Sequence, residues 1–140
     1  MSGTLRSVLL DTCAVIWLAN GAAMSASATE AIVQAGLTGG VLVSPVSAWE
    51  IGMLCRKRGL QCLPDPKTWF ARFMAGPGIG EAALTPAIAV DASYLPGDLH
   101  GDPGDRLIIA TARHLGVPVV TRDRLILAYG AAGGVGVVGC

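Results

Sequence analysis

The sequence predicts an α/β fold: a mostly parallel central sheet of four or five strands, flanked by helices on both faces. Three observations lead there. Short apolar runs at Val8-Leu9-Leu10, Val41-Leu42-Val43 and Val117 to Thr121 read as strands apolar on both faces, as in a buried parallel sheet. They alternate with segments of helical period, and that alternation calls for parallel strands joined by helical crossovers. Four helix starts are punctuated by a capping residue and then proline, at Ser44-Pro45, Asp65-Pro66, Thr85-Pro86 and Asp102-Pro103.

The chain of 140 residues fits one domain, residues 1–140, with enough apolar surface to bury a core without staples. Hydrophobic residues are 52% and charged residues 14%, which excludes a disordered class and makes each carboxylate conspicuous. Ten basic and ten acidic residues cancel, so any nucleic-acid contact must come from a local patch. So apolar a chain with balanced charge is also expected to have part of its surface covered by a partner. Cys13, Cys55, Cys62 and Cys140 form no C-x-x-C pair, and neither His100 nor His114 has a cysteine at zinc-finger spacing; they read as reduced thiols. Asp11 interrupts the apolar N-terminus and Arg6 is its only basic lead, so a cytoplasmic protein is expected, with no membrane span.

In chain order, the first strand stops at Asp11. Thr12 can cap the next helix, through Leu18 to a stop at Gly21, or can orient Asp11. Ser25 or Ser27 opens the second helix, with Ser27-x-x-Glu30 at capping-box spacing. After the second strand, Ser44-Pro45 starts a helix to about Arg58, in which Glu50 shares a stripe with Val46, Met53 and Leu54. Asp65-Pro66 starts a helix with a ridge of Trp69, Phe70, Phe73 and Met74, a packing or partner surface, before Gly76-Pro77-Gly78. Ala82-Ala83-Leu84 reads as a short strand, and Thr85-Pro86 opens a helix closed by Leu95-Pro96-Gly97. Asp102-Pro103 opens a helix to Leu115, with Asp105 on the same stripe as Ile108, Ile109 and Ala112. Asp123 follows the strand Val117 to Thr121, a helix runs through Tyr129, and Val135 to Val138 reads as an edge strand.

Asp11 and Asp123 therefore end strands, where the chemistry of open α/β sheets collects. With Glu50 and Asp105 they make an oxygen donor set suited to Mg²⁺ or Mn²⁺ and to hydrolysis of a phosphodiester. Asp102 reads equally as a helix cap. Arg56-Lys57-Arg58 read as cations complementing the end of their helix, whereas Arg106, Arg122 and Arg124 adjoin the acids and are candidates for RNA phosphate contacts. Ser44 reads as a helix-start residue that can also bond a metal ligand, and His100 as a loop histidine.

Several stretches resemble the PIN-domain ribonucleases, most closely the toxin component of VapBC-type toxin–antitoxin pairs. They are Leu9-Leu10-Asp11-Thr12 with Trp17, Ser47-x-Trp49-Glu50-Ile51, Leu84-Thr85-Pro86, Thr121-Arg122-Asp123 and the long run from Leu95 to Ala112 through Gly101-Asp102-Pro103-Gly104-Asp105-Arg106. The resemblance implies a PIN-like fold and a metal-dependent endoribonuclease with Mg²⁺ or Mn²⁺ as cofactor. It carries the catalytic and metal-binding acids onto Asp11, Glu50, Asp105 and Asp123, with Thr12, Ser44, Asp102 and Thr121 in support. RNA as substrate, a cognate antitoxin and a homodimer are implied in the same way. Many relatives carry His where Cys13 stands and a further acid where Leu125 stands, which leaves a single-ion site open.

Other acidic-pocket classes fit less well. A receiver domain needs a lysine where Thr121-Arg122-Asp123 has none, and a haloacid-dehalogenase-like phosphatase needs a second acid in Asp11-Thr12-Cys13. A catalytically weak PIN module that only binds RNA or a protein is the remaining alternative.

Overall fold

Three-residue strands cannot hold themselves together, so this sheet exists only because helices seal both of its faces. The computed structural model describes residues 6–97, 99 and 101–140. Its strands are β1 (Val8–Leu10), β2 (Val41–Val43), β3 (Ile79–Glu81), β4 (Val119–Thr121) and β5 (Val137–Gly139). Between β1 and β2 lie α1 (Thr12–Ala19) and α2 (Ala26–Gly36), and between β2 and β3 lie α3 (Pro45–Arg58) and α4 (Pro66–Met74). Next come α5 (Pro86–Ser93) and α6 (Pro103–Leu115) before β4, and α7 (Arg124–Ala131) before β5.

The five strands pair in the order β3-β2-β1-β4-β5, and every pair is parallel. Leu9 faces Leu42 on one side and Val119 on the other, which makes β1 the central strand. The chain moves outward from β1 to β3, then returns to the other side of β1 to lay down β4. Right-handed crossovers in opposite directions place their helices on opposite faces. Two cores result. Leu9, Val119, Ile108, Ile109, Ile126 and Tyr129 pack on the face covered by α5, α6 and α7. Val8, Leu10, Val120, Ala14, Ala28 and Ile51 pack on the face covered by α1, α2 and α3. The alternation along β1 is the two-residue period of a strand with both faces buried.

The four capping residues ahead of prolines behave as the sequence predicts: Ser44, Asp65, Thr85 and Asp102 each accept a backbone N–H in the first turn of α3, α4, α5 and α6. Gly59 and Gly116 end α3 and α6 at φ 71° and 69°, a region glycine enters without strain. The aromatic ridge of α4 packs against the core, with Trp69 and Phe73 stacked at 6.0 Å. Among the described residues, no helix is long and apolar enough to cross a membrane.

Several boundaries differ from the sequence reading. Asp11, not Thr12, caps α1, because its carboxylate accepts the Ala14 N–H at 2.8 Å while Thr12 enters the helix. Ser25 caps α2, accepting the Ala28 N–H at 3.1 Å and donating to the Gly139 carbonyl at 2.7 Å, so Ser27 and Glu30 both fall inside the helix and form no capping box. The third strand is Ile79–Glu81 rather than Ala82–Leu84, since the backbone leaves the turn at Gly78 already in register with β2. Its signal is masked by Gly80, where a side chain would come within 2.9 Å of the Gly39 carbonyl. Strand β4 begins at Val119 because Pro118 has no N–H, although its carbonyl accepts from Leu9 at 2.9 Å. Strand β5 begins at Val137, and the buried Val135 serves the core from a loop.

Leu9 is fully buried between two paired strands. Truncating it in Leu9→Ala leaves a cavity that costs about 3 kcal/mol, which a urea titration will show as a lowered midpoint with little change in slope.

Candidate active site

The reversal of strand order opens a crevice beyond the carboxyl ends of β1 and β4, the place where ligands bind in open α/β sheets. A cleft of about 680 Å³ lies there, and five carboxylates line it: Asp11, Glu50, Asp102, Asp105 and Asp123. Each arrives from a different element end or helix face, and side-chain or backbone donors hold Asp11, Glu50, Asp102 and Asp123 in place.

Asp11 follows β1 and is buried. Its Oδ1 accepts the Ala14 N–H, and its Oδ2 accepts from the Thr121 hydroxyl at 2.5 Å. Thr121 ends β4, and the same hydroxyl oxygen accepts the Asp123 N–H at 2.9 Å. One buried threonine thus aligns both strand-end acids. Asp123 caps α7 through Oδ1, which takes the Leu125 and Ile126 N–H groups at 2.9 and 3.0 Å. Asp102 caps α6 through Oδ1 in the same way, taking the Gly104 N–H at 2.7 Å. In both caps Oδ1 is the bonded oxygen, which leaves the second oxygen outside the cap.

Glu50 projects from α3 and accepts a short hydrogen bond from the Thr12 hydroxyl. That hydroxyl lies 3.0 Å from Ser47 Oγ; with its only hydrogen given to Glu50, it accepts from Ser47. Gly104 makes room on the other side: a Cβ there would collide with the Glu50 carboxylate and lie 3.0 Å from Asp102 Oδ1. Glu50, Asp102 and Asp105 consequently each offer an oxygen within 4.8 Å of the other two. Among the described residues this is the group with metal-ligand spacing; Asp11 and Asp123 line the same cleft outside it. Asp102 is thus both a cap and a member of the cluster.

The acids pay for this proximity. Asp105 is pushed up to about 7, first by burial and then by the charges of Asp102, Asp123, Glu50 and Asp11. Burial also raises Glu50, against the Thr12 hydrogen bond that lowers it, and raises Asp11 against the Thr121 and Ala14 bonds. A divalent cation would offset these penalties, and hard carboxylate oxygens suit one. Cys13 also lines the cleft, but burial and the neighbouring acids raise its thiol, which disfavours the thiolate a soft metal would need. The donor set fits a hard divalent ion.

The PIN domain model matches residues 8–131. The chain belongs to the PIN domain family. This PIN domain is 31% identical over 126 residues to Ribonuclease VapC22 of Mycobacterium tuberculosis (strain ATCC 25618 / H37Rv), an alignment covering 89% of the chain and 93% of the relative. Its fold is similar to the structure of VapBC2 from Rickettsia felis bound to a promoter DNA fragment, with TM-score 0.69, 12% identity and coverage of 96% and 98% of the two chains. It is also similar to VapC20 of Mycobacterium tuberculosis, described as a sarcin-ricin loop cleaving toxin, with TM-score 0.59, 20% identity and coverage of 89% and 95%.

The remaining candidates separate. Thr12 lines the cleft, whereas Ser44 is buried and caps α3 through the Val46 N–H at 3.0 Å, away from the cleft-lining set. Arg106, read from the sequence as a phosphate ligand, instead donates to the Ala92 and Leu99 carbonyls at 3.0 and 2.8 Å and ties the loop before α6 to α5. Arg122 lines the cleft, and Arg124 is exposed at the start of α7 outside it. His100 lies outside the described residues.

The sequence reading gave Ser47 and Gly104 no part in this site and assigned Lys57 and Arg58 to the end of their helix. The two cations line the cleft rather than only closing a helix. A signal for them existed, since positions 50, 53, 54, 57 and 58 follow the i, i+3, i+4, i+7, i+8 stripe of one helix face. Extending the Glu50 stripe by one turn reaches Lys57 and Arg58.

Two outcomes follow from these contacts. Arg106→Ala removes two charge-assisted bonds to carbonyls and should lower stability by about 2 kcal/mol, read by urea denaturation. Between the unfolded carboxylate value near 3.8 and the folded value of about 7, the native state binds more protons at Asp105 than the unfolded chain does. Metal-free protein in EDTA should therefore lose thermal stability as pH rises through that window and level off above it. Added Mg²⁺ or Mn²⁺ should raise the melting temperature more at about pH 8 than at about pH 5, because the acids must be ionised to bind it.

Proposed function

We propose that this chain is a metal-dependent endoribonuclease that hydrolyses phosphodiester bonds in RNA and acts as the toxin of a toxin–antitoxin pair. The observation that carries this reading is the meeting of Glu50, Asp102 and Asp105 in the same cleft as Asp11 and Asp123, in a chain of the PIN family. The ribonuclease name of the mycobacterial relative and the toxin–antitoxin complexes among the structural neighbours support it. Glu50, Asp102 and Asp105 would hold one Mg²⁺ or Mn²⁺, and Asp11 and Asp123 would complete the catalytic carboxylates.

A divalent cation held there would supply positive charge to phosphoryl oxygens and would acidify water. The chain's own residues do the rest. Asp11, immobilised by Thr121 and Ala14, is a fixed acceptor for a proton of the attacking water. The water oxygen bonds to phosphorus as the ester P–O bond breaks, and the leaving oxygen takes up a proton. Thr12 and Thr121 hold Glu50 and Asp11 in place, so neither carboxylate must reorganise as charge develops. A cognate antitoxin covering the acidic cleft silences the enzyme, and a cytoplasmic homodimer is the form the family resemblance implies.

The test is cleavage of labelled structured and unstructured RNAs by the isolated chain with Mg²⁺ or Mn²⁺. Asp105→Asn should lower the rate by on the order of 100-fold or more, and EDTA should abolish it. Thr121→Val, which touches no substrate, should cost about 10–100-fold, the scale seen when a partner that orients a group at a metal-dependent site is lost. RNA binding with no cleavage under any metal would make the chain a binding module instead.

A further inference from the structure

The cleft is not uniformly acidic. Lys57 and Arg58 line it from the last turn of α3, which follows β2, and Arg122 lines it from the end of β4; β2 and β4 flank β1 on opposite sides. Arg122 is also posed: its guanidinium carbon sits 3.8 Å from the centroid of the Trp17 ring, and one of its N–H groups donates to the Ala23 carbonyl at 3.3 Å. Trp17 also lines the cleft, and Arg122 is exposed, so the guanidinium sits over the indole at a surface open to a ligand.

Resting on the nuclease reading above, we infer that these groups form a two-sided clamp for a single-stranded RNA segment. Lys57 and Arg58 take backbone phosphates on one side of the scissile bond, and an unpaired base stacks on the Arg122–Trp17 pair on the other. Three arguments carry it. The chain has zero formal net charge, so no general field draws in a polyanion. The five carboxylates repel phosphate, so attraction must come from cations placed beside them; Lys57, Arg58 and Arg122 are the ones lining the cleft. An arginine plane pinned over an indole offers a ready stacking surface for a base, and only an unpaired base has a free face to give it. Bases inside a duplex are already stacked on both faces. Lysine and arginine on the α3 rim supply charge without a comparable platform.

The experiment measures binding in EDTA, where no cleavage occurs, by fluorescence anisotropy of a short unstructured RNA and of the same strand annealed into a duplex, across a salt series. Cleavage of the unstructured RNA with Mn²⁺ is followed in parallel. Lys57→Ala/Arg58→Ala should weaken single-strand binding about tenfold or more and flatten the plot of log affinity against log salt by about 1.4, the share of two phosphate contacts on a single strand. Arg122→Lys keeps the charge and loses the plane; it should weaken single-strand binding several-fold while leaving the salt slope and duplex binding unchanged. Lys67→Ala/Arg72→Ala, on α4 away from the cleft, removes the same charge and should change neither. Mn²⁺ binding by calorimetry shows whether each variant keeps its acid site. If wild-type protein cleaves RNA but binding ignores the rim variants, or if duplex binds as tightly as single strand, the clamp is wrong and the nuclease reading stands. If wild-type protein neither binds nor cleaves either RNA, both are overturned.

Discussion

The pairing of β1 with β4 is the constraint on which the site depends. Because β4 is laid down beside β1 after the chain has built β2 and β3 on the other side, the helices leaving β1 and β4 go to opposite faces of the sheet. The gap between them is the cleft. Its floor is the hydrogen bond from Thr121 to Asp11, which joins residues 110 positions apart and sets two strand ends at one height. Leu9, Val119 and Val120 bury the register beneath that bond, so core packing and site geometry have the same cause.

Crowding carboxylates in this way is unfavourable, and the fold limits the cost by giving most of them a second task. Asp11, Asp102 and Asp123 each cap a helix while lining the cleft. The N-termini of α1, α6 and α7 therefore point their unpaired N–H groups and positive dipole ends at the acids. Glu50 has no such help. It is held by the Thr12 hydroxyl, itself bonded to Ser47, in space that Gly104 leaves open. What the helix ends and hydroxyls do not neutralise remains as the raised Asp105 and the raised Glu50 and Asp11, an electrostatic tension that a hard cation relieves.

Concentration of charge within a neutral chain is the second theme. Acids and cations line one cleft, with Lys57 and Arg58 one helical stripe beyond Glu50 and Arg122 between Thr121 and Asp123. Arg106, adjacent in sequence to Asp105, takes no part in this. Its guanidinium is spent on carbonyls of α5 and the following loop, which shows how little nearness in sequence says about where a long side chain ends.

The sequence by itself determined the parallel α/β class, the order of elements, four helix starts and the strand-end placement of Asp11 and Asp123, because these follow from local period, capping chemistry and proline. It also put Glu50 and Asp105 on the helices from which they reach the cleft. Tertiary structure decided the rest. Thr12 neither caps α1 nor orients Asp11, because its hydroxyl donates to Glu50, 38 positions away, while Thr121 bonds Asp11. Ser25 won over Ser27 because its hydroxyl reaches the Gly139 carbonyl in the last strand. The strand at Ile79–Glu81 formed around a glycine that local propensity reads as a breaker, since only a glycine fits against the Gly39 carbonyl. Asp102 entered the acidic cluster because α6 packs against α3, and no spacing along the chain encodes that contact. Local rules act over a few residues, whereas a site assembled at a reversal of strand order depends on distances that exist only once the sheet has closed.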